Sequence, residues 1–194
     1  MIKNIKFTTL LLLCVLLSSS CKKWLELKPQ DGIVREDYWK TQDQIRAAVI
    51  GSYVSLANNT LVQDFFDWGE LRTDMISTTA STTTEEVDYA AANILATSSL
   101  TKWNAVYAVI NNCNTVIEFA PGVLKYDNTL TQEQLNAYLA EARGLRALMY
   151  FYLVRTFGEV PLQLTASSSD SKIQLLPKSS REDVLKQIVA DLDF

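Results

Sequence analysis

The stretch over residues 131–158 limits the possible folds of this chain more than any other. Thr131 sits at a helix N-cap position with Gln134 three residues on, the pairing of a capping box. Leu135, Leu139, Ala142, Leu145, Met149 and Tyr152 follow at helical spacing. Gly158, with Pro161 beyond it, supplies the stop. A helix this long with an apolar stripe must be covered by other elements, because its stability comes mainly from packing that face. The rest of the sequence supplies the partners. Over residues 35–56, Ile45, Val49, Tyr53 and Leu56 recur on one helical face, and Asn58-Asn59 breaks the run. Over residues 101–119, Trp103, Val106, Tyr107, Ile110 and Ile117 share another, ended by Pro121-Gly122. Ser179 and Glu182 form a second capping box, opening a helix that would bury Val184, Leu185, Ile188 and Leu192.

The connections are less regular. Residues 63–73 are aromatic-rich and fit a short helix or a partly buried connection. Residues 77–84 carry seven hydroxyl side chains in eight positions without an apolar period, as in an exposed loop. A short helix is expected around residues 87–94. Residues 160–164 are the best strand candidate, and they are few. The expectation is an all-α assembly of packed helix pairs, although no self-similarity at 34 residues is visible. After Leu192 no Gly, Asn or Pro stop precedes Phe194, so the chain is expected to be part of a longer protein.

The first twenty residues have a different character. Lys3 and Lys6 precede an uncharged, mostly apolar stretch over residues 7–17, and Ser18, Ser19 and Ser20 lead to Cys21. This is the layout of a secretory signal, and its apolar run falls short of the roughly 20 residues a spanning helix needs. Two readings remain open, an ordinary cleaved signal or a lipoprotein signal with Cys21 as the acylated N-terminus. The second is favoured, because Cys21 stands where the small residues end. Leu17 to Cys21 resembles a bacterial lipobox, with Ser18 at position −3 and the aliphatic Leu17 one step further back. Cys14 lies inside the apolar run. Residues 22–34 hold Pro29 and an Asp31-Gly32 turn signal and suit a tether. The expected organisation is a signal over residues 1–20, a lipid-anchored tether over 21–34 and a helical domain over 35–194.

Composition removes most catalytic chemistry. The 194 residues include no histidine, which excludes Ser-His-Asp and Cys-His mechanisms and His-ligated metals. Three cysteines cannot build a disulfide framework or a four-cysteine zinc site. A net charge of −4 argues against a nucleic-acid partner, which needs a basic face. Loss of the signal would remove Lys3 and Lys6 and no acid, leaving a still more acidic chain. Cys113 suits a small apolar core residue. Glu85, Glu86 and Asp88 raise the question of paired carboxylates for glycoside hydrolysis, but the expectation for them is a solvated loop.

Several blocks resemble one family. Glu141-Ala142-Arg143-Gly144-Leu145-Arg146-Ala147, then Tyr150-Phe151-Tyr152-Leu153-Val154 and Phe157-Gly158-Glu159-Val160-Pro161-Leu162, are similar to the helix and exit of SusD/RagB-type nutrient-binding lipoproteins of Bacteroidota. In the same order come Glu70-Leu71-Arg72-Thr73-Asp74, the Trp103, Tyr107, Ile110, Asn114, Ile117 helix, and Leu176-Pro177 with Ser180-Arg181-Glu182-Asp183-Val184. Cys21-Lys22-Lys23-Trp24-Leu25-Glu26 resembles the family's mature N-terminus. The resemblance covers nearly all of this chain but only the N-terminal third of a typical member. It implies a tetratricopeptide-like helical fold, no catalytic activity and no cofactor. It further implies a lipid-anchored outer-membrane protein that captures oligosaccharide, or in some members peptide, for a TonB-dependent SusC-like transporter.

Site residues are harder to fix. Trp39 and Trp103 belong with apolar helix faces, Trp24 with the tether, and Trp68, beside Phe65 and Phe66, with packing. Glu141, Arg143 and Arg146 do not share one helix face and are expected to pair with neighbouring helices or loop carbonyls. The resemblance implies ligand contacts from the loops in this part of the chain, and Tyr89 and Asp74 are the expected ligand-binding residues. A rival reading is a helical scaffold lipoprotein without a small ligand. A truncated remnant without function is another.

Overall fold

The computed structural model describes residues 38–73, 75–167 and 175–194. The leader, Cys21, the tether and Asp74 lie outside the described residues. Among those residues there are six α-helices and no β-strand: α1 Gln42–Leu56, α2 Asn59–Glu70, α3 Thr84–Ala90, α4 Asn104–Phe119, α5 Gln132–Phe157 and α6 Arg181–Leu192. Short 3-10 turns cover Ser99–Thr101 and Ala120–Lys125. The expected strand is reduced to one antiparallel bridge between Val160 and Ser179. Residues Trp39–Phe194 form one compact unit, and no described helix is long and apolar enough to cross a membrane.

Caps decide where the helices begin. Thr131 and Gln134 close the expected capping box on α5. Thr41 with Gln44 does the same for α1, so that helix starts at Gln42, inside the 35–56 stretch rather than at its beginning. Asn58 ends the first run by capping the next, its side chain accepting from the Thr60 N–H. On α6 the cap is Ser180, with Asp183 in the first turn, in place of the Ser179–Glu182 pair. Ser179 has its backbone N–H committed to the Val160 carbonyl at 3.0 Å. Pro121-Gly122 tighten the end of α4 into the Ala120–Lys125 turn where a stop was expected. Gly158 leaves α5 at φ +76°, a conformation costly for any side-chain-bearing residue.

The core forms where α5 packs between α4 and α6, with α1 laid against α4 and α5. Ile45, Val106, Val109, Ile110, Leu135, Met149 and Leu153 are buried there, together with Cys113, whose thiol burial pushes up to about 12. Ser52 takes the inward position on α1 expected of Tyr53. Its hydroxyl donates to the Ala48 carbonyl at 3.2 Å, so a small polar residue is buried satisfied, and Tyr53 stands 42% exposed. On α6, Val184, Ile188 and Asp191 are buried, whereas Leu185 and Leu192 face out. The acid is drawn inward by Arg146, whose Nε and Nη2 donate to its two oxygens at 2.8 and 2.6 Å. Arg146 Nη1 also donates to Asn114 Oδ1 at 2.7 Å, and Asn114 Nδ2 donates to the carbonyls of Gln163 and Thr165. Arg143 reaches Asp191 at 3.5 Å and covers the Phe194 ring. These arginines therefore join α4, α5, α6 and the segment after Gly158.

Tyr150 clips the same segment. Its hydroxyl donates to the Gln163 carbonyl at 2.9 Å and accepts from the Gln163 N–H at 2.7 Å. Tyr150→Phe leaves the Gln163 N–H without a partner and its carbonyl with Asn114 alone, and a loss of about 2 kcal/mol is expected. The urea midpoint of the full chain measures it, and an unchanged midpoint would show that water replaces the hydroxyl.

Candidate functional site

Helix α2 divides its aromatic residues between two tasks. Trp68 is 7% exposed, donates its indole N–H to the Leu100 carbonyl at 2.6 Å and meets the Phe157 ring edge-on at 5.0 Å. Phe65 stacks on Tyr152 at 3.8 Å with an 11° interplanar angle. These contacts dock one face of α2 on the C-terminal half of α5, the packing role expected for Trp68. Phe66 stays 48% exposed.

Beside Phe66 the chain forms a hollow of about 260 Å³. Gln63, Phe66 and Asp67 of α2 line it, with Ile76, Ser77, Thr78 and Thr82 of the hydroxyl-rich connection and Glu86 and Ala90 of α3. Gln63 Nε2 donates to Asp67 Oδ1 at 2.9 Å. Asp67 is only 1% exposed, and among the described residues its Oδ2 has no hydrogen-bond partner. Burial raises its pKa, opposed by the Gln63 bond, and the charge of Glu86 raises it further. One turn earlier, Asp64 is pushed up to about 6 by burial and by Asp67. Glu86 Oε2 accepts from the Thr83 N–H and hydroxyl at 2.7 and 2.8 Å, so the α3 capping box also holds this carboxylate in the wall.

Asp64 has a stability consequence of definite sign. Its folded pKa lies above the ordinary 3.8, so the folded chain holds the proton more tightly. Stability is highest below about pH 4 for this group and falls as pH rises through about 6. Asp64→Asn should remove that slope and stabilise the chain at pH 7.5 by about 1 kcal/mol, after discounting for solvent screening. Thermal melts between pH 4 and 8 test this, and a variant less stable at pH 7.5 contradicts it.

A second hollow, of about 280 Å³, is lined by Glu85, Asp88 and Tyr89 of α3 and by Asn93, Ile94, Leu95, Thr97 and Ser98. Tyr89 is 3% exposed, with its phenol pushed up mainly by burial and lying beside Arg72. It forms wall, without an open ring face for a sugar. The acids expected in a solvated loop belong to α3, which starts earlier than residues 87–94 suggested because Thr83 caps it. Glu85 is held below the usual carboxylate range by hydrogen bonds from Ser98 and Ser99, and its Oε1 accepts the Ser99 N–H. Among the described residues, no cluster of three or more His, Cys, Asp or Glu could hold a metal.

Of the two expected ligand residues, Asp74 lies outside the described residues and Tyr89 lines the second hollow. Phe66 and Asp67 were passed over in the sequence because the aromatic run containing Trp68 reads as packing throughout. The signal available was their spacing from Gln63, which places all three on one stretch of helix surface.

Each hollow is smaller than the roughly 300–1,000 Å³ of pockets that enclose a drug-sized ligand. An exposed ring beside amide, hydroxyl and carboxylate groups suits one unit of a longer polar chain. Comparison with known proteins decides the family. Residues 23–194 match the SusD-like family described as starch-binding associating with outer membrane. This chain belongs to the SusD-like family. A SusD-like protein of Formosa agariphila is 32% identical over 193 residues, 98% of this chain and 37% of the relative. A SusD superfamily protein of Bacteroides thetaiotaomicron superposes with a TM-score of 0.67 at 27% identity, over 79% of this chain and 34% of that one. A laminarin-binding SusD-like protein shares the fold, with a TM-score of 0.64 at 22% identity over 80% of this chain and 33% of that one. The chain thus spans little more than a third of the length of the relatives it matches, and the all-helical, tetratricopeptide-like arrangement agrees with theirs.

Proposed function

We propose that this SusD-like chain belongs to a surface protein that captures glycan reversibly and delivers it, without turnover, to a TonB-dependent SusC-like transporter. The observation that carries the reading is the family match over residues 23–194, with its description as starch-binding associating with outer membrane. At the level of residues, the support is Phe66 standing exposed beside Gln63, Thr78, Thr82 and Glu86, apolar face next to polar groups. Tyr89 supports the second hollow as wall, and Asp74 follows Thr73 in the connection between α2 and α3. Acylation at Cys21 would hold the protein at the outer membrane through buried methylenes, which requires no basic patch and suits an acidic chain. The scaffold alternative draws on the exposed Leu185, Val189 and Leu192 along α6.

Native gels cast with starch or laminarin test the proposal. Retarded migration without release of reducing ends is the expected result. Unretarded migration in both gels, or accumulating reducing ends, would overturn it.

A further inference from the structure

The hollow beside Phe66 has a sign. Of its lining residues none is lysine or arginine, whereas Asp67 lies beneath it and Glu86 stands in its wall. Asp67 Oδ2 is closed off from solvent and, among the described residues, unpartnered, so at a pH above its raised pKa a ligand meets the carboxylate charge without touching the atom. A charge sequestered from water is weakly screened, and its field acts over several ångströms into the adjacent space. Glu86, half-buried and already holding Thr83, adds a second negative charge at the surface. Arg72, Lys102 and Arg155 are not among its lining residues. Arg72 acts on Tyr89, Lys102 on Glu85, and Arg155 lies over the rings of Phe151 and Tyr152.

We propose that this hollow admits neutral sugar units and rejects acidic ones, with Asp67 and Glu86 as the specificity-determining residues. The inference rests on the glycan reading above and adds to it the class of glycan. Neutral hydroxyls can donate to Glu86 and accept from Gln63, Thr78 and Thr82. A uronate or sulfate brings a negative charge toward a buried one, with no cation in the wall to compensate.

The test uses matched ligands that differ only at C6, a hydroxymethyl group against a carboxylate. These are starch-derived and laminarin-derived oligosaccharides, each intact and oxidised at C6 to the glucuronate form, titrated calorimetrically against the full chain. The oxidised form is expected to bind at least tenfold more weakly than its neutral parent. Asp67→Asn, which keeps the Gln63 bond and removes the charge, should narrow that gap to about threefold or less. Glu86→Gln should narrow it less and keep its cap. In 0.5 M salt the Glu86 share of the gap should fade and the Asp67 share persist. Equal binding of neutral and oxidised forms, or an unchanged gap in Asp67→Asn, overturns the inference and leaves the glycan reading intact. If none of the four ligands binds, the glycan reading itself falls and this inference with it.

Discussion

Arg146→Ala is expected to destabilise the chain by about 3–5 kcal/mol, the range for breaking a buried ion pair from one side. The guanidinium is 4% exposed and Asp191 only 2%. Its removal strands a carboxylate in the core with only Gln187, at 3.1 Å, and the longer Arg143 contact left. It also takes from Asn114 the donor that holds its carbonyl oxygen, loosening the hold on Gln163 and Thr165. Total stability of a domain is about 5–15 kcal/mol, so the variant should sit near its unfolding midpoint and melt about 6–20 °C lower. Replacing both partners with apolar residues, Arg146→Met with Asp191→Leu, should cost much less, because no charge is then left buried alone. Thermal melts of the single and double variants measure both. A loss under about 1 kcal/mol in Arg146→Ala would mean that the network is not what joins α4, α5 and α6.

Trp68→Ala should cost about 3–5 kcal/mol, as for other buried tryptophans cut to alanine. Unlike the Arg146 change, it should also abolish glycan retention in the fraction that stays folded. Trp68 is the contact through which α2 meets both Phe157 of α5 and the Leu100 carbonyl. The Ser99–Thr101 turn holding that carbonyl is tied in turn to Glu85 of α3. Losing the indole therefore frees the two helices that frame the hollow. Trp68→Phe keeps a ring against Phe157 but loses the hydrogen bond and part of the buried indole volume, and a smaller cost of about 1–3 kcal/mol is expected. Melts paired with gel retardation separate the cases, and full retention by Trp68→Ala would place the ligand away from α2 and α3.

The helical scaffold was largely legible in the sequence, and its limits have physical causes. The stripe from Leu135 to Met149 and the Thr131 cap are local signals, and they gave α5 its start and buried face. The errors on α1 and α6 share one origin. Apolarity alone nominated Tyr53, Leu185 and Leu192 for burial, but a hydroxyl bonded within its own helix and an acid met by Arg146 took inward positions. The burial of Asp191 depends on a partner 45 residues away, which no helical period encodes. The same limit applies at the hollow. The exposure of Phe66 between two packed rings, and the isolation of Asp67, follow from where α5 and α3 lie against α2. Tyr89 was chosen for its place beside the hydroxyl-rich loop, and tertiary packing turned it inward.

On the proposed function, α1 and α4–α6 form the scaffold, while α2, α3 and the connection between them meet the ligand. Hydrogen–deuterium exchange of the full chain, with and without saturating laminarin or starch oligosaccharide, tests it most directly. The account predicts added protection confined to residues 63–98, with exchange in α4–α6 unchanged. Protection centred on α4–α6, or none at ligand concentrations that retard the protein in gels, would contradict it.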